Sequence, residues 1–191
     1  MDLVFESERL VFMPLSEDDL HLSIDLWTNP KVTKYAGGTY TKQQIISDHP
    51  KIERRCGDGC IGVWTIRKKC NGEKIGTLAL LPMPVEGDDT DWDLVVGSEI
   101  PEGEIEIGYF LKETEWGKGY ATEACKRLLQ FAFEDSPLTK IVAVIDDENE
   151  ASRQVLEKSG LRNTGLTKAY GEQCPSFRIT RQEWLDNTNA K

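Results

Sequence analysis

A mixed α/β fold, with helices laid on a twisted sheet, follows from three stretches of this 191-residue chain. Residues 104–111 alternate glutamate with isoleucine before running through Gly108-Tyr109-Phe110-Leu111, the period-two pattern of a half-buried strand. Beyond Trp116-Gly117-Lys118-Gly119-Tyr120, residues Ala121, Ala124, Cys125, Leu128, Leu129, Ala132 and Phe133 recur at helical spacing. Ile141-Val142-Ala143-Val144-Ile145 is a continuous apolar run, as expected of a strand covered on both faces. Strand, helix and buried strand in that order form a crossover unit. The sheet is therefore expected to be parallel there, with a right-handed connection.

The other elements follow in order. Leu10 to Pro14 reads as a strand ended by proline, and Ser16 has N-cap chemistry ahead of Glu17, Asp18 and Asp19. Leu20 and Ile24, with Leu22 and Leu26, give the next helix its apolar face, and Thr28-Asn29-Pro30 stops it. A second helix is predicted over Lys42 to Arg54, capped by Thr41. Ile61 to Arg67 reads as a strand with Ile61, Val63 and Thr65 on one face. Cys70-Asn71-Gly72-Glu73 is a hairpin signal, because Asn-Gly readily adopts positive φ, and Lys74 to Leu81 returns. Residues 82–103 break the rhythm with Pro82, Pro84 and Pro101; acids crowd Glu86 to Glu106, and no Lys or Arg stands between Ile75 and Leu111. A loop of that length is either a solvated surface insertion or an acidic rim facing a substrate. A helix from Glu150 to Ser159 should close on Gly160, and Phe177 to Thr180 looks like the last strand.

Composition excludes several function classes. A net charge of −10 argues against nucleic-acid binding, which needs a basic surface to replace counterions. No apolar run approaches a membrane span, and Asp2, Glu6 and Glu8 give the first nine residues the wrong charge for an export leader. A cytoplasmic location is expected. The five cysteines form no Cys-x-x-Cys pair and there are only two histidines, so no metal site is predicted and the thiols should be free.

Glycines at the mouth of the helix after Trp116 let main-chain N–H groups converge on an anion, which points to a phosphate-bearing ligand. A nucleotide P-loop would need glycine where Lys112 stands and Ser or Thr where Gly119 stands. A dinucleotide fingerprint would need its third glycine at Thr122.

The whole chain instead resembles the GNAT superfamily of acetyl-coenzyme A-dependent N-acetyltransferases, most closely the Rim-type branch that acetylates ribosomal-protein N-termini. The likeness is carried by Glu8 to Leu15 with Glu17-Asp18-Asp19, by Leu26 to Val32, and by Glu106-Ile107-Gly108-Tyr109. It continues through Trp116 to Ala124, Asn149 with Ser152, Lys158 to Leu161, and Phe177 to Trp184. The resemblance implies one domain over residues 1–191, with a mostly antiparallel sheet whose fourth and fifth strands are parallel and splay apart. It implies a pantetheine arm in that splay, paired with main chain at Tyr109, Phe110 and Leu111. The pyrophosphate would lie on the loop Trp116, Gly117, Lys118, Gly119, Tyr120, Ala121 and Thr122. Asn149 and Ser152 would flank the arm, although Asn149 is an equally good helix cap. Dimers are frequent in that branch.

Amide formation needs a neutral amine, whereas a lysine-like amine has a pKa of about 10.4 and an α-amine about 8. Glu106 is the expected general base, directly or through water, and a solvent-facing strand glutamate is the alternative. Many superfamily members carry a tyrosine acid seven residues after Asn149; here that position is Leu156, which leaves Ser152, Tyr120 or water. Trp92, between Asp91 and Asp93, could receive the cationic face of an amine. The expected activity is acetyl transfer to a primary amine, either a protein N-terminus or a small cationic molecule such as a polyamine or aminoglycoside. A non-catalytic coenzyme A-binding domain is the rival from another class.

Overall fold

A computed structural model describes residues 2–189, and among them eight strands form one sheet in the order β1-β2-β3-β4-β5-β6-β8-β7. The strands are β1 (Phe5–Glu6), β2 (Leu10–Pro14), β3 (Gly62–Lys68), β4 (Lys74–Pro82), β5 (Ile105–Leu111), β6 (Lys140–Val144), β7 (Arg162–Ala169) and β8 (Glu172–Thr180). The helices are α1 (Leu20–Trp27), α2 (Lys42–Ile52), α3 (Tyr120–Gln130), α4 (Glu150–Lys158) and α5 (Arg181–Asn189). All neighbouring strands run antiparallel except β5 and β6, which are parallel. The short β1 adds one strand at the start, so the expected parallel pair is the fifth and sixth strands.

That pair barely touches. β4 and β5 share a register from Gly76↔Leu111 to Pro82↔Ile105, whereas β5 and β6 meet only at Glu106↔Val142. Beyond that point the two strands diverge, opening the sheet at its middle. The Met83 amide bonds the Glu104 carbonyl and the Lys112 amide bonds the Ile75 carbonyl, so even-numbered positions of β5 spend their main chain on β4. By strand alternation, Ile107, Tyr109 and Leu111 turn theirs toward the opening. The expected main-chain role of Phe110 is thereby corrected: its peptide faces β4.

β3 departs from its predicted pattern. Every residue from Ile61 to Ile66 is buried, not just one face, because helices and aromatic side chains cover both sides of the sheet. Trp64, Phe12 and Phe131 are fully buried, and Phe5 stacks on Phe12 and Phe131 at centroid separations of 5.0 and 4.7 Å. Burial of each such ring stabilises the fold by roughly 1.5–3 kcal/mol.

Several boundaries moved. The first helix begins with a 3-10 turn at Glu17–Asp19, and α2 ends at Ile52, short of Arg54, with Pro50 inside its last turn. The last strand is twice its expected length, and β7 and α5 were not predicted. β7 is almost entirely exposed, so Arg-Asn-Thr-Gly-Leu-Thr-Lys shows no apolar alternation. Residues 83–104 are not a free insertion. Pro84 and Val85 accept the Tyr170 and Gly171 amides at 3.1 and 3.0 Å, Glu86 binds Lys168 at 2.6 Å, and Val95 is fully buried. The segment is a strap across the β7–β8 turn, with its aspartates left outside.

Candidate active site

Two adjoining sets of groups surround the opening between β5 and β6. The first is the loop ahead of α3. Gly117 and Gly119 take left-handed φ values of 73° and 81°, which only glycine adopts cheaply. Gly119 is the N-cap residue, and no side chain caps the first turn of α3. In contrast, Thr41 caps α2 and Asn149 caps α4 through their side chains. The first amides of α3 are thus left for a ligand, and a Cβ placed on Gly117 would meet nothing within 4 Å. Open space, free amides and the positive end of a helix fit a diphosphate. Trp116 turns its indole back to donate to the Leu111 carbonyl at 2.9 Å, tying the loop to the end of β5. Lys118 sends its ammonium to Glu115 at 3.1 Å, and Ala121 and Thr122 lie in the first helical turn.

The second set gathers titratable groups. Glu106, Gly108 and Phe110 share one face of β5, and Tyr109 lies on the other. Phe110 packs against Trp27 at a centroid distance of 4.6 Å, and Trp27 meets Tyr40 edge-on at 5.5 Å. Between Glu106 and Phe110, Gly108 leaves room, since an added Cβ would meet nothing within 4 Å. The Glu106 carboxyl sits at the fork of the strands. It accepts the Val144 amide at 3.2 Å, an amide of β6 that the diverging strand leaves without a β5 partner, and the Tyr170 hydroxyl at 2.6 Å. Burial pushes its pKa up to about 7, against those two hydrogen bonds, which pull it down.

Tyr170 was not foreseen. It occupies a tight β7–β8 turn with Gly171, at φ values of 53° and 73°, a primed hairpin turn unfavourable for an aromatic residue. Burial, the Glu106 charge and its hydrogen bond, and Asp89 all raise its pKa, so the phenol stays protonated and donates to Glu106. The only trace in the sequence was the Tyr-Gly pair between two polar runs.

On the opposite face, the Tyr109 hydroxyl and Ser152 Oγ lie 2.8 Å apart, and burial pushes the tyrosine pKa well up. Tyr109, known from sequence only for its main chain, therefore brings a phenol to Ser152, one of the three alternatives for the leaving-group acid. Asn149 Oδ1 accepts the Ser152 amide at 3.1 Å, so its capping role is realised. Leu156 is a core residue, 1% exposed. Tyr120 lies under the Arg9 guanidinium, 4.4 Å from its ring centre, on the flank of the glycine loop.

The aspartates of the strap reach this region unevenly. Asp93 pairs with Arg54 at 3.1 Å and the Trp92 indole donates to Asp89 at 3.3 Å, which corrects the expected Asp91–Trp92–Asp93 receptor. After burial, Asp89, Asp88 and Asp48 are the groups that raise the Tyr40 pKa, so the negative field lies over the Trp27–Tyr40 side. A groove of about 230 Å³ lies beside Glu104, lined also by Lys140, Val142, Ser176 and Arg178. A larger cavity of about 560 Å³, beside Phe5, Arg127 and Asp135, touches none of these groups.

A family model described as an acetyltransferase (GNAT) domain matches residues 9–162. The chain belongs to the GNAT acetyltransferase family. It is accordingly an N-acetyltransferase that takes acetyl-CoA as co-substrate. It is 28% identical over 166 residues to an uncharacterized N-acetyltransferase p20 of Bacillus licheniformis, covering 86% of this GNAT chain and 85% of p20. Identity to the FsC-acetyl coenzyme A-N(2)-transacetylase of Aspergillus fumigatus is 26% over 187 residues, 93% of this chain and 76% of that one. A putative ribosomal N-acetyltransferase of Bacillus subtilis, YdaF, is 38% identical over 63 residues, a third of each chain. The fold is also that of the spermidine N-acetyltransferase of Vibrio cholerae solved with CoA and spermine, at a TM-score of 0.69, 17% identity and 92% and 98% coverage. Among the described residues, no helix is long and apolar enough to cross a membrane.

Proposed function

We propose that this GNAT enzyme acetylates the primary amine of a small cationic molecule, with Glu106 as general base and direct attack on the thioester while both substrates are bound. The observation that carries it is Glu106 at the strand fork, with a pKa of about 7 and open space beside it at Gly108. A carboxyl poised near neutral pH can take a proton from an ammonium, directly or through water, and pass it on as pH allows. Acetyl-CoA supplies the activated acetyl group. The amides of Gly117 to Thr122 hold its diphosphate, and the main chain of Tyr109 and Leu111 faces its arm. The Tyr109–Ser152 hydroxyl pair is the proton source for the departing thiolate. Both groups stay protonated at neutral pH, which an acid requires.

Direct transfer is favoured over an acyl-enzyme by the thiols. Burial raises the pKa of Cys56, Cys60, Cys125 and Cys174, the reverse of what a nucleophilic cysteine needs. Asp88, Asp89 and Asp48 around Tyr40 favour a polyamine- or aminoglycoside-like acceptor, and spermine is what the Vibrio structure holds. A protein N-terminus is the second reading, supported by the match to YdaF over one third of the chain. Whole-chain organisation as one transferase domain belongs to the same proposal.

A screen of amines and peptides with acetyl-CoA, following thiol release, tests it. Polyamines or aminoglycosides should turn over with higher kcat/KM than N-terminal peptides, and preference for a peptide would replace the first reading with the second.

A further inference from the structure

The flank of the phosphate loop is braced by the start of the chain. Glu123, in the first turn of α3, is an acid beside a site meant for a diphosphate, where its charge should repel. Its carboxylate is turned away and fully engaged. Oε1 accepts the Ser7 hydroxyl at 2.7 Å and the Arg9 amide at 2.8 Å, and Oε2 accepts Arg9 Nε at 2.6 Å. Burial opposes ionisation there, but these bonds hold the Glu123 pKa below its ordinary value. The same guanidinium donates through Nη1 to the Lys118 carbonyl at 3.0 Å and lies over the Tyr120 ring, with Nη2 3.5 Å from where a Gly119 Cβ would stand.

We propose that Arg9 is a positioning residue for the co-substrate: by holding the Lys118 carbonyl on the β2 side, it aims the Gly119 amide at the diphosphate. The proposal rests on the reading that the Gly117–Thr122 amides bind that diphosphate. The peptide between Lys118 and Gly119 is planar and trans, so its C=O and N–H point in opposite directions. Fixing one fixes the other. That peptide turns about ψ of Lys118 and φ of Gly119, and Gly119, at φ 81°, resists the rotation little. Glu123 locks the fork in place and is neutralised by it. An exposed ion pair alone would contribute little, and Arg9 is 44% exposed; the consequence comes from the carbonyl it holds. Lysine could keep the charge but not make both bonds, since only the planar fork spans a carboxylate and a carbonyl together.

Binding of coenzyme A by calorimetry, and of pantetheine by chemical-shift titration, separates orientation from general damage. Wild type, Arg9→Ala, Arg9→Lys and Gly119→Val are compared, with hydrogen exchange read at the Gly119 amide. Arg9→Ala should weaken coenzyme A about tenfold, the effect of one charge-assisted hydrogen bond, and leave pantetheine unchanged. Arg9→Lys should remain weak, and exchange at Gly119 in the coenzyme A complex should quicken in both variants. Equal losses for the two ligands, full rescue by lysine, or unchanged coenzyme A affinity would each overturn the role of Arg9. If Gly119→Val also binds coenzyme A normally, or wild type does not bind it, the cradle itself is wrong. Should Arg9→Ala fail to fold, Arg9→Lys retains the charge beside Glu123 and decides the question.

Discussion

The glycine loop ahead of α3 and the Glu106 fork lie at the same opening in the sheet but are built in opposite ways. The loop is contiguous: residues 116–122 present their own main chain, and glycine dihedrals and a helix end do the rest. The fork is assembled from distant pieces. Glu106 comes from β5, its amide donor Val144 from β6 and its phenol donor Tyr170 from a turn 64 residues later. A contiguous site needs only local conformation, whereas a dispersed one needs every surrounding element in register. The first should therefore fail through backbone change, and the second through loss of a single side chain.

The sharpest separation comes from Glu106→Gln. It should lower kcat/KM about a thousandfold, within the range for general-base removal, while calorimetry finds coenzyme A affinity unchanged. Gly119→Val inverts that outcome. A β-branched residue at φ 81° is strained, so coenzyme A affinity should fall about a hundredfold, and an unchanged affinity would refute a backbone-built cradle.

Tyr170→Phe acts on the fork alone. The hydrogen bond favours the charged carboxyl, so its removal raises the Glu106 pKa above about 7. The acid limb of the kcat/KM profile should move to higher pH by about one unit, a tenfold loss near pH 6 and almost none at pH 9. A limb that stays in place would mean that another group is the base. The smallest effect is expected from Asp89→Asn, which should raise KM for a polycationic amine about threefold at low salt and less at high salt, as screening predicts. A neutral acceptor should not notice the change.

Legibility followed the same division. The strand from Glu104 to Leu111, the glycine turn, the helix after it and the buried run from Ile141 were all readable, because each writes its periodicity into adjacent residues. Asn149 and Ser152 also lay where expected at the start of α4. β7 was not readable, since an exposed edge strand of polar residues has no buried face to mark. Tyr170 escaped for a related reason. Its importance lies in a 2.6 Å contact to Glu106 that no local pattern encodes. The strap of residues 83–104 looked like an acidic loop because its aspartates face solvent, while the bonds that anchor it come from Arg54, Tyr170 and Lys168.

Taken alone, the amino-acid order determined the α/β character, the crossover around α3 and the glycine turn that opens that helix, since these depend on dihedral preference and burial period within a few residues. Tertiary structure decided how far β5 and β6 part, which phenol reaches Glu106, and that Phe110 gives its ring and not its peptide to the cleft. Those outcomes depend on strand register and on burial by distant elements, which set hydrogen-bond direction and the proton affinity of a carboxyl, and neither quantity is a property of the residue itself.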